Sequence, residues 1–252
     1  MTQSEKAALF KSLHVKGDPL ILYNIWDAGS AKKIAKEGAK AIATGSWSVA
    51  SAQGFEDGEQ IPMAFVLQII ERIARTVDVP VSLDFEGAYA DDPQQIAKHI
   101  AHVIKTGAVG INFEDRHVQA DGLFAIQTQA ERIKAIRQAA DDAGIALFIN
   151  ARTDVFLKAD PATHKDWIET ALEREAAYGE AGADGFFVPG LSDPAHIEHL
   201  VGKVNLPLNV MMMGPTPSAK DMAALGVSRI SHGPSPYRHA LKDLSARYCA
   251  MT

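Results

Sequence analysis

Four apolar runs in this chain end on groups that can do chemistry. Val81-Ser-Leu-Asp84 ends on a carboxylate with Glu86 two residues on, and Val109 to Phe113 leads into Glu114 and Asp115. Ala146 to Ala151 runs into Arg152, and Lys40 to Thr44 opens into Gly45 and Ser46. Carboxylates brought to one place repel one another, and raised pKa values or a cation must relieve that. A hard divalent ion suits oxygen ligands, and Mg2+ takes few direct carboxylates and keeps several waters. Asp84, Glu86 and Glu114 are therefore the candidate metal set; the alternative is that they cap helices or pair with surface Lys and Arg. Arg152 offers a planar fork to a carboxylate or phosphate, unless one of the same acids takes it. Backbone N–H groups of Thr44-Gly45-Ser46 suit an anionic oxygen, although a plain helix cap explains Ser46 equally well. Cation, fork and turn together describe a pocket for a small, doubly anionic oxo- or hydroxy-acid.

The elements that must position these groups are marked by a phrase used five times. It reads Glu37-Gly38-Ala39, Thr106-Gly107-Ala108, Ala143-Gly144-Ile145, Ala181-Gly182-Ala183 and Leu225-Gly226-Val227. Each glycine closes an amphipathic stretch, where a helix ends in a left-handed residue. Each precedes a short apolar run, as a strand buried on both faces requires. Three more strands are predicted at Leu20 to Asn24, Val81 to Asp84 and Leu208 to Met212, each shortly after a proline. Asp92-Pro93 and Asp193-Pro194 read as helix starts. About eight strands alternating with helices predict parallel βαβ units. In 252 residues this fits one α/β domain, a (β/α)8 TIM barrel over residues 1–252. An open doubly wound sheet is the other arrangement, but no Gly-x-Gly-x-x-Gly follows the first strand.

A barrel gathers the carboxyl ends of its strands on one rim, where chemistry sits. That rim would hold Asn24, Trp26 and Asp27; Thr44 to Ser46; Asp84 and Glu86; Glu114 and Asp115; Asn150 and Arg152. Val188-Pro189-Gly190, Met211 to Gly214 and His232 complete it. His117, beside Glu114, and His232 are pocket candidates with packing as the alternative, and so are Trp26, Trp47 and Tyr89. His99 and His102, like His196 and His199, are spaced i, i+3 without a His-Glu-x-x-His, and are expected on solvated helix flanks. No Gly-x-Ser-x-Gly elbow and no Gly-x-x-x-x-Gly-Lys loop occurs, so serine hydrolysis and nucleotide-triphosphate chemistry have no support.

Composition narrows the class further. Hydrophobic residues at 47% and charged residues at 22% exclude a disordered chain. A net charge of -6 argues against a nucleic-acid surface, and the single Cys249 forms no internal disulfide. The first sixteen residues lack a signal-peptide core, and no apolar run reaches the ~18 residues of a membrane span. The expectation is a soluble, cytoplasmic protein with neither nucleic acid nor membrane as partner.

Several of these segments, taken in order, resemble the phosphoenolpyruvate mutase/isocitrate lyase superfamily. They are Asn24-Ile-Trp-Asp27-Ala-Gly-Ser30, Thr44-Gly-Ser46, Leu83-Asp84-Phe-Glu86-Gly-Ala-Tyr89, Phe113-Glu114-Asp115 and Asn150-Ala-Arg152. The likeness runs through Leu225-Gly226-Val-Ser-Arg-Ile230. It implies a barrel whose C-terminal helix swaps between neighbours, and a homo-oligomer, dimer or tetramer. It also implies Mg2+ as cofactor and a small 2-oxo carboxylate or phosphonate as substrate, a C–C or P–C bond breaking or forming through an enolate. By position, Asp84 resembles the direct metal ligand, with Glu86 and Glu114 acting through waters. Thr44, Gly45 and Ser46 resemble the turn that holds the substrate carboxylate, Asp57 a nearby carboxylate, and Arg152 the substrate clamp.

The chain also departs from that pattern. Lyases of the superfamily carry Lys-Lys-Cys-Gly-His after strand four; here the loop reads Arg116-His-Val-Gln-Ala-Asp-Gly122, with no thiol. The longer mutase loop with lysine and asparagine is absent too. The usual Asp-x-Asp-Thr-Gly-Tyr-Gly becomes Asp84-Phe-Glu-Gly-Ala-Tyr-Ala90. Oxaloacetate-type decarboxylation or hydrolysis needs the fewest groups beyond metal and clamp, with Glu114 and Arg152 at the reaction and Arg116 or His117 supplying a proton. The alternatives are a phosphonomutase or phosphonopyruvate hydrolase, and a non-catalytic barrel that binds a 2-oxo acid.

Overall fold

The computed structural model describes residues 1–213 and 217–251. Gly214, expected at the end of strand seven, lies outside the described residues. Eight strands follow in chain order: β1 (Leu20–Leu22), β2 (Ile42–Ala43), β3 (Val81–Asp84), β4 (Gly110–Glu114), β5 (Phe148–Arg152), β6 (Gly185–Phe187), β7 (Leu208–Met211) and β8 (Arg229–Ser231). They pair in the order β1-β8-β7-β6-β5-β4-β3-β2, and every ladder is parallel. The remaining seam, β1 to β2, closes through the Ile25–Thr44 bridge, where Ile25 N–H donates to the Ala43 carbonyl at 2.9 Å. This is the expected barrel, with helices between successive strands.

The predicted punctuation has a physical counterpart. Gly38, Gly107, Gly144, Gly182 and Gly226 all have positive φ, between 68° and 105°. Side chains of Asp92 and Asp193 accept from Gln95 and His196 N–H, capping the helices Pro93–Lys105 and Pro194–Val201. Between helices and strands lies a core that includes Ile70, Ile100, Ile111, Ile133, Ile149 and Val210, all fully buried. Burying each such side chain stabilises by about 1.5–3 kcal/mol. The helix Gln3–Ser12 plugs the opposite end of the barrel, its Phe10 set edge-on to Phe148 at 5.4 Å. A β-carbon at Gly110 would stand 2.7 Å from the Phe10 ring, so the plug needs glycine there.

Two surfaces lack cover. The helix Ser235–Cys249 buries Pro236 and Tyr237, and from Arg238 on every described residue is exposed. Leu241, Leu244 and Tyr248 therefore face solvent, as do Ile21 and Tyr23 on the first strand's outer side. Among the described residues no helix is long and apolar enough to cross a membrane. One expectation is corrected: His99 is buried rather than solvated. Its ring lies 2.8 Å from the Ala88 carbonyl and 2.7 Å from Gln95 Nε2, tying the helix to the loop after β3.

Candidate active site

Asp84 ends β3 and is fixed from both sides. Its N–H donates to Thr44 Oγ1 at 3.0 Å, and its Oδ2 accepts from Ser46 N–H at 2.9 Å. Asn112 Nδ2, on β4, makes a long contact of 3.4 Å to Oδ1. The Thr44-Gly45-Ser46 turn thus serves Asp84 first. Thr44 is buried with its hydroxyl committed, while Gly45 and Ser46 line the open cavity.

Glu86 follows in a left-handed conformation, φ 49°, with Oε2 accepting from Gly58 and Glu59 N–H at 3.1 and 3.2 Å. Burial pushes its carboxyl up to about 9, with Asp57, Glu114, Asp84 and Glu59 adding repulsion. Burial raises Asp57 as well, and the Asp84 charge adds to it. Glu114, the last residue of β4, is held by Arg116 Nε at 2.5 Å and by Arg152 Nη1 at 2.8 Å. Burial still lifts its carboxyl above the ordinary carboxylate range, against the pull of Arg152.

Arg152 turns its fork to Asp154, Nε to Oδ1 at 2.6 Å and Nη2 to Oδ2 at 2.9 Å. Burial works against its charge, yet Glu114 and Asp154 hold it well above the ordinary arginine value. Three of its five N–H groups are taken, leaving two for a ligand. Asp154 and Asn112 were not singled out in the sequence. An acid two residues past a strand-ending arginine was the available signal for the first; an asparagine inside an apolar strand was the signal for the second. Asp115 faces away from Glu114: its carboxylate accepts from Asp154 N–H, Arg174 and the Tyr178 hydroxyl, all at 2.9–3.0 Å.

Asp84 and Arg152 open onto a cavity of about 290 Å3, while Glu86 and Glu114 do not line it. Asp84, Asp57, Asn112, Arg152 and Ser46 give it a polar part; Trp47, Leu157, Phe187 and Met213 give apolar walls, and Arg238 lines it from the C-terminal helix. His117 is elsewhere. Its ring lies 3.7 Å from Phe124, and it lines a separate cavity of about 250 Å3 with Glu59 and Tyr89. His232 packs toward Tyr23 at 5.3 Å and does not line the main cavity. Among the described residues no three His, Cys, Asp or Glu side chains stand close enough to enclose a metal by themselves.

Residues 10–252 match the sequence model of phosphoenolpyruvate phosphomutase. The chain belongs to the phosphoenolpyruvate phosphomutase family. Its relatives in this family include an uncharacterised protein of Mycobacterium tuberculosis, 34% identical over 232 residues, 92% of this chain and 84% of that one. An oxaloacetate decarboxylase of Pseudomonas aeruginosa is 27% identical over 249 residues, covering 94% of this chain and 82% of its own. Among solved structures, a phosphonomutase-like protein of Burkholderia cenocepacia superposes with a TM-score of 0.97 at 49% identity, over 99% of this chain and 100% of that one. A phosphonopyruvate hydrolase, solved with oxalate and Mg2+, shares the fold with a TM-score of 0.85 at 22% identity, over 100% and 87% of the two chains. The superfamily comprises enzymes that cleave or transfer C–C and P–C bonds.

Proposed function

We propose that this protein breaks a C–C or P–C bond of a small 2-oxo acid, by oxaloacetate-type decarboxylation or hydrolysis. The observation that carries the reading is Asp84 at the end of β3, facing with Asp57 a cavity that Arg152 also lines, with Glu86 and Glu114 buried behind them.

The donor set fits Mg2+. Asp84 has one oxygen with only a long contact at 3.4 Å, and its neighbours Asp57, Glu86 and Glu114 repel one another in a buried setting. Among the described residues no three acids converge directly, so an ion held at Asp84 would keep most of its waters. Asp84 would hold the ion, with Glu86 and Glu114 acting through waters. When bound, it would supply positive charge against the negative charge that grows on an enolate oxygen.

The chain's own residues do the rest. Ser46 N–H and Thr44 Oγ1 keep Asp84 in one orientation. Gly45 and Ser46, lining the cavity, would receive the substrate carboxylate. Arg152, locked by Glu114 and Asp154, would turn its two remaining N–H groups to the substrate. The loop from Asp115 to Leu123 meets the loop around Gly58, with Gln119 Nε2 3.4 Å from the Gly58 carbonyl, and this contact would exclude water. Of the two proton donors expected on that loop, His117 lines the separate cavity and Arg116 is held to Glu114 with its charge stabilised, so the proton is assigned to neither.

Replacing Asp84 tests the reading. Asp84→Ala is expected to abolish Mg2+-dependent oxalate binding in calorimetry while the far-ultraviolet circular dichroism stays unchanged; undiminished affinity would overturn it. The likeness at 49% identity to the Burkholderia protein favours phosphonomutase or phosphonopyruvate hydrolase chemistry as the second reading. Assays of oxaloacetate and phosphonopyruvate side by side separate the two, by CO2 against inorganic phosphate or phosphoenolpyruvate. Binding without turnover of either would leave the non-catalytic barrel. The same proposal includes assembly: the exposed helix Ser235–Cys249 would cross to a second copy and cover apolar surface such as that at Ile21 and Tyr23.

A further inference from the structure

Two guanidinium groups line the main cavity, and their situations differ. Arg152 is bound to Glu114 and Asp154. Arg238, in the first turn of the helix Ser235–Cys249, lies over the Trp47 ring with Cζ 4.6 Å from its centroid. Among the described residues its side chain makes no ion pair and no hydrogen bond. An arginine laid on an aromatic face keeps its in-plane N–H groups available to an anion.

The placement is built rather than incidental. Pro236 and Tyr237 are the buried residues of this helix, and the Tyr237 ring packs against Trp26 at 4.9 Å and Trp47 at 6.0 Å. The helix start and the ring beneath Arg238 are therefore fixed together. Elsewhere the cavity walls are apolar at Leu157, Phe187 and Met213, so an anionic group entering among them meets Arg238 as its uncommitted cation.

We propose that Arg238 is a specificity-determining residue that pairs with the substrate's second anionic group, a carboxylate or phosphonate, the one not held at Asp84 and Ser46. This rests on the proposed chemistry at Asp84 and narrows it to substrates charged at both ends. A neutral arm of the same length leaves the guanidinium without its partner and is discriminated against.

Calorimetry with Mg2+ on the full chain and four ligands tests this: oxalate, 2-hydroxybutyrate, malate and 3-phosphono-2-hydroxypropanoate. Arg238→Gln is expected to weaken malate, the phosphonate, or both by about tenfold or more, which is about 1.4 kcal/mol. Oxalate and 2-hydroxybutyrate should bind as before, which also shows the variant's site intact, and Arg238→Lys should recover part of the loss. The ligand that loses more identifies the distal group. Equal losses across all four ligands, or none, would overturn the role of Arg238 alone. A wild-type protein that binds no oxalate would overturn it together with the Asp84 reading.

Discussion

Arg229 Nη2 donates to Asn112 Oδ1 at 3.0 Å, joining β8 to β4 through the inside of the barrel. Asn150 donates to the same oxygen at 2.9 Å, so the Asn112 amide is turned with its NH2 toward Asp84. Arg229 is fully buried, its Nε and Nη1 have no partner, and burial lowers its pKa to about 9. A buried charge with so few bonds destabilises the fold. Arg229→Met is therefore expected to raise stability by about 1 kcal/mol or more in urea denaturation. The freed Asn112 amide should weaken Mg2+ binding in calorimetry. A less stable variant would contradict the first half, unchanged affinity the second.

Arg152 predicts the opposite sign. Its removal leaves Glu114, 1% exposed, with Arg116 as the remaining partner, and strips Asp154 of its fork. Breaking a buried pair from one side costs about 3–5 kcal/mol. Arg152→Met should lose stability of that order in thermal denaturation, and Arg152→Lys, which keeps the charge without the fork, should lose less.

Gly190 has φ 93°, and a β-carbon there would stand 2.9 Å from backbone atoms of Phe156 and Leu157. Left-handed strain for an L residue is about 1–2 kcal/mol before the clash is counted. Gly190→Ala should lower stability by at least that much. Because Leu157 lines the cavity, oxalate binding should weaken as well.

Acid sensitivity should trace to His14. Burial, with Arg229 adding to it, lowers its pKa from 6.5 to about 3, and its ring stacks on Phe148 at 4.0 Å. Between those values the unfolded chain holds the proton and the folded chain does not. Its contribution is complete above pH 6.5 and is lost as pH falls toward 3, at up to about 1.4 kcal/mol per pH unit. His14→Phe keeps the stack and should flatten the acid limb of stability against pH; an unchanged limb would place the sensitivity elsewhere.

Leu244 is 65% exposed on a helix that touches its own barrel only at its first residues. If that helix packs on a second copy, Leu244→Asp should reduce the assembled mass measured by light scattering while leaving the circular dichroism of the barrel unchanged. An unaltered mass would rule out that packing.

All eight strands were legible as short apolar runs, seven of them with no exposed face, and five were announced by helix-ending glycines. Their lengths were less legible: β1 stops at Leu22 rather than Asn24, and β2 has two residues. The rim acids were visible too, but not which partner each would choose. Thr44 turned its hydroxyl to Asp84, Arg152 took Asp154, and His99 reached a carbonyl under the loop after β3. Spacing shows that groups share a rim; their pairing depends on side-chain directions that only packing settles. Asn112 and Arg229 were hidden for a related reason, since a polar residue in an apolar strand reads the same inside or outside. At Ala88 the chain has φ 66° where the superfamily pattern carries glycine, and that strain shows only in the folded backbone.

The narrow join between the first two staves has a consequence for how this molecule can change. Where other neighbours share rungs, Ile25 and Thr44 share one, and the Asn24 amide and the Thr44 hydroxyl are stitched on either side of it. The second of those stitches is also what holds Asp84. A substitution that slackens the hoop at this point detunes the acid beside it, so architecture and chemistry here must drift together or not at all.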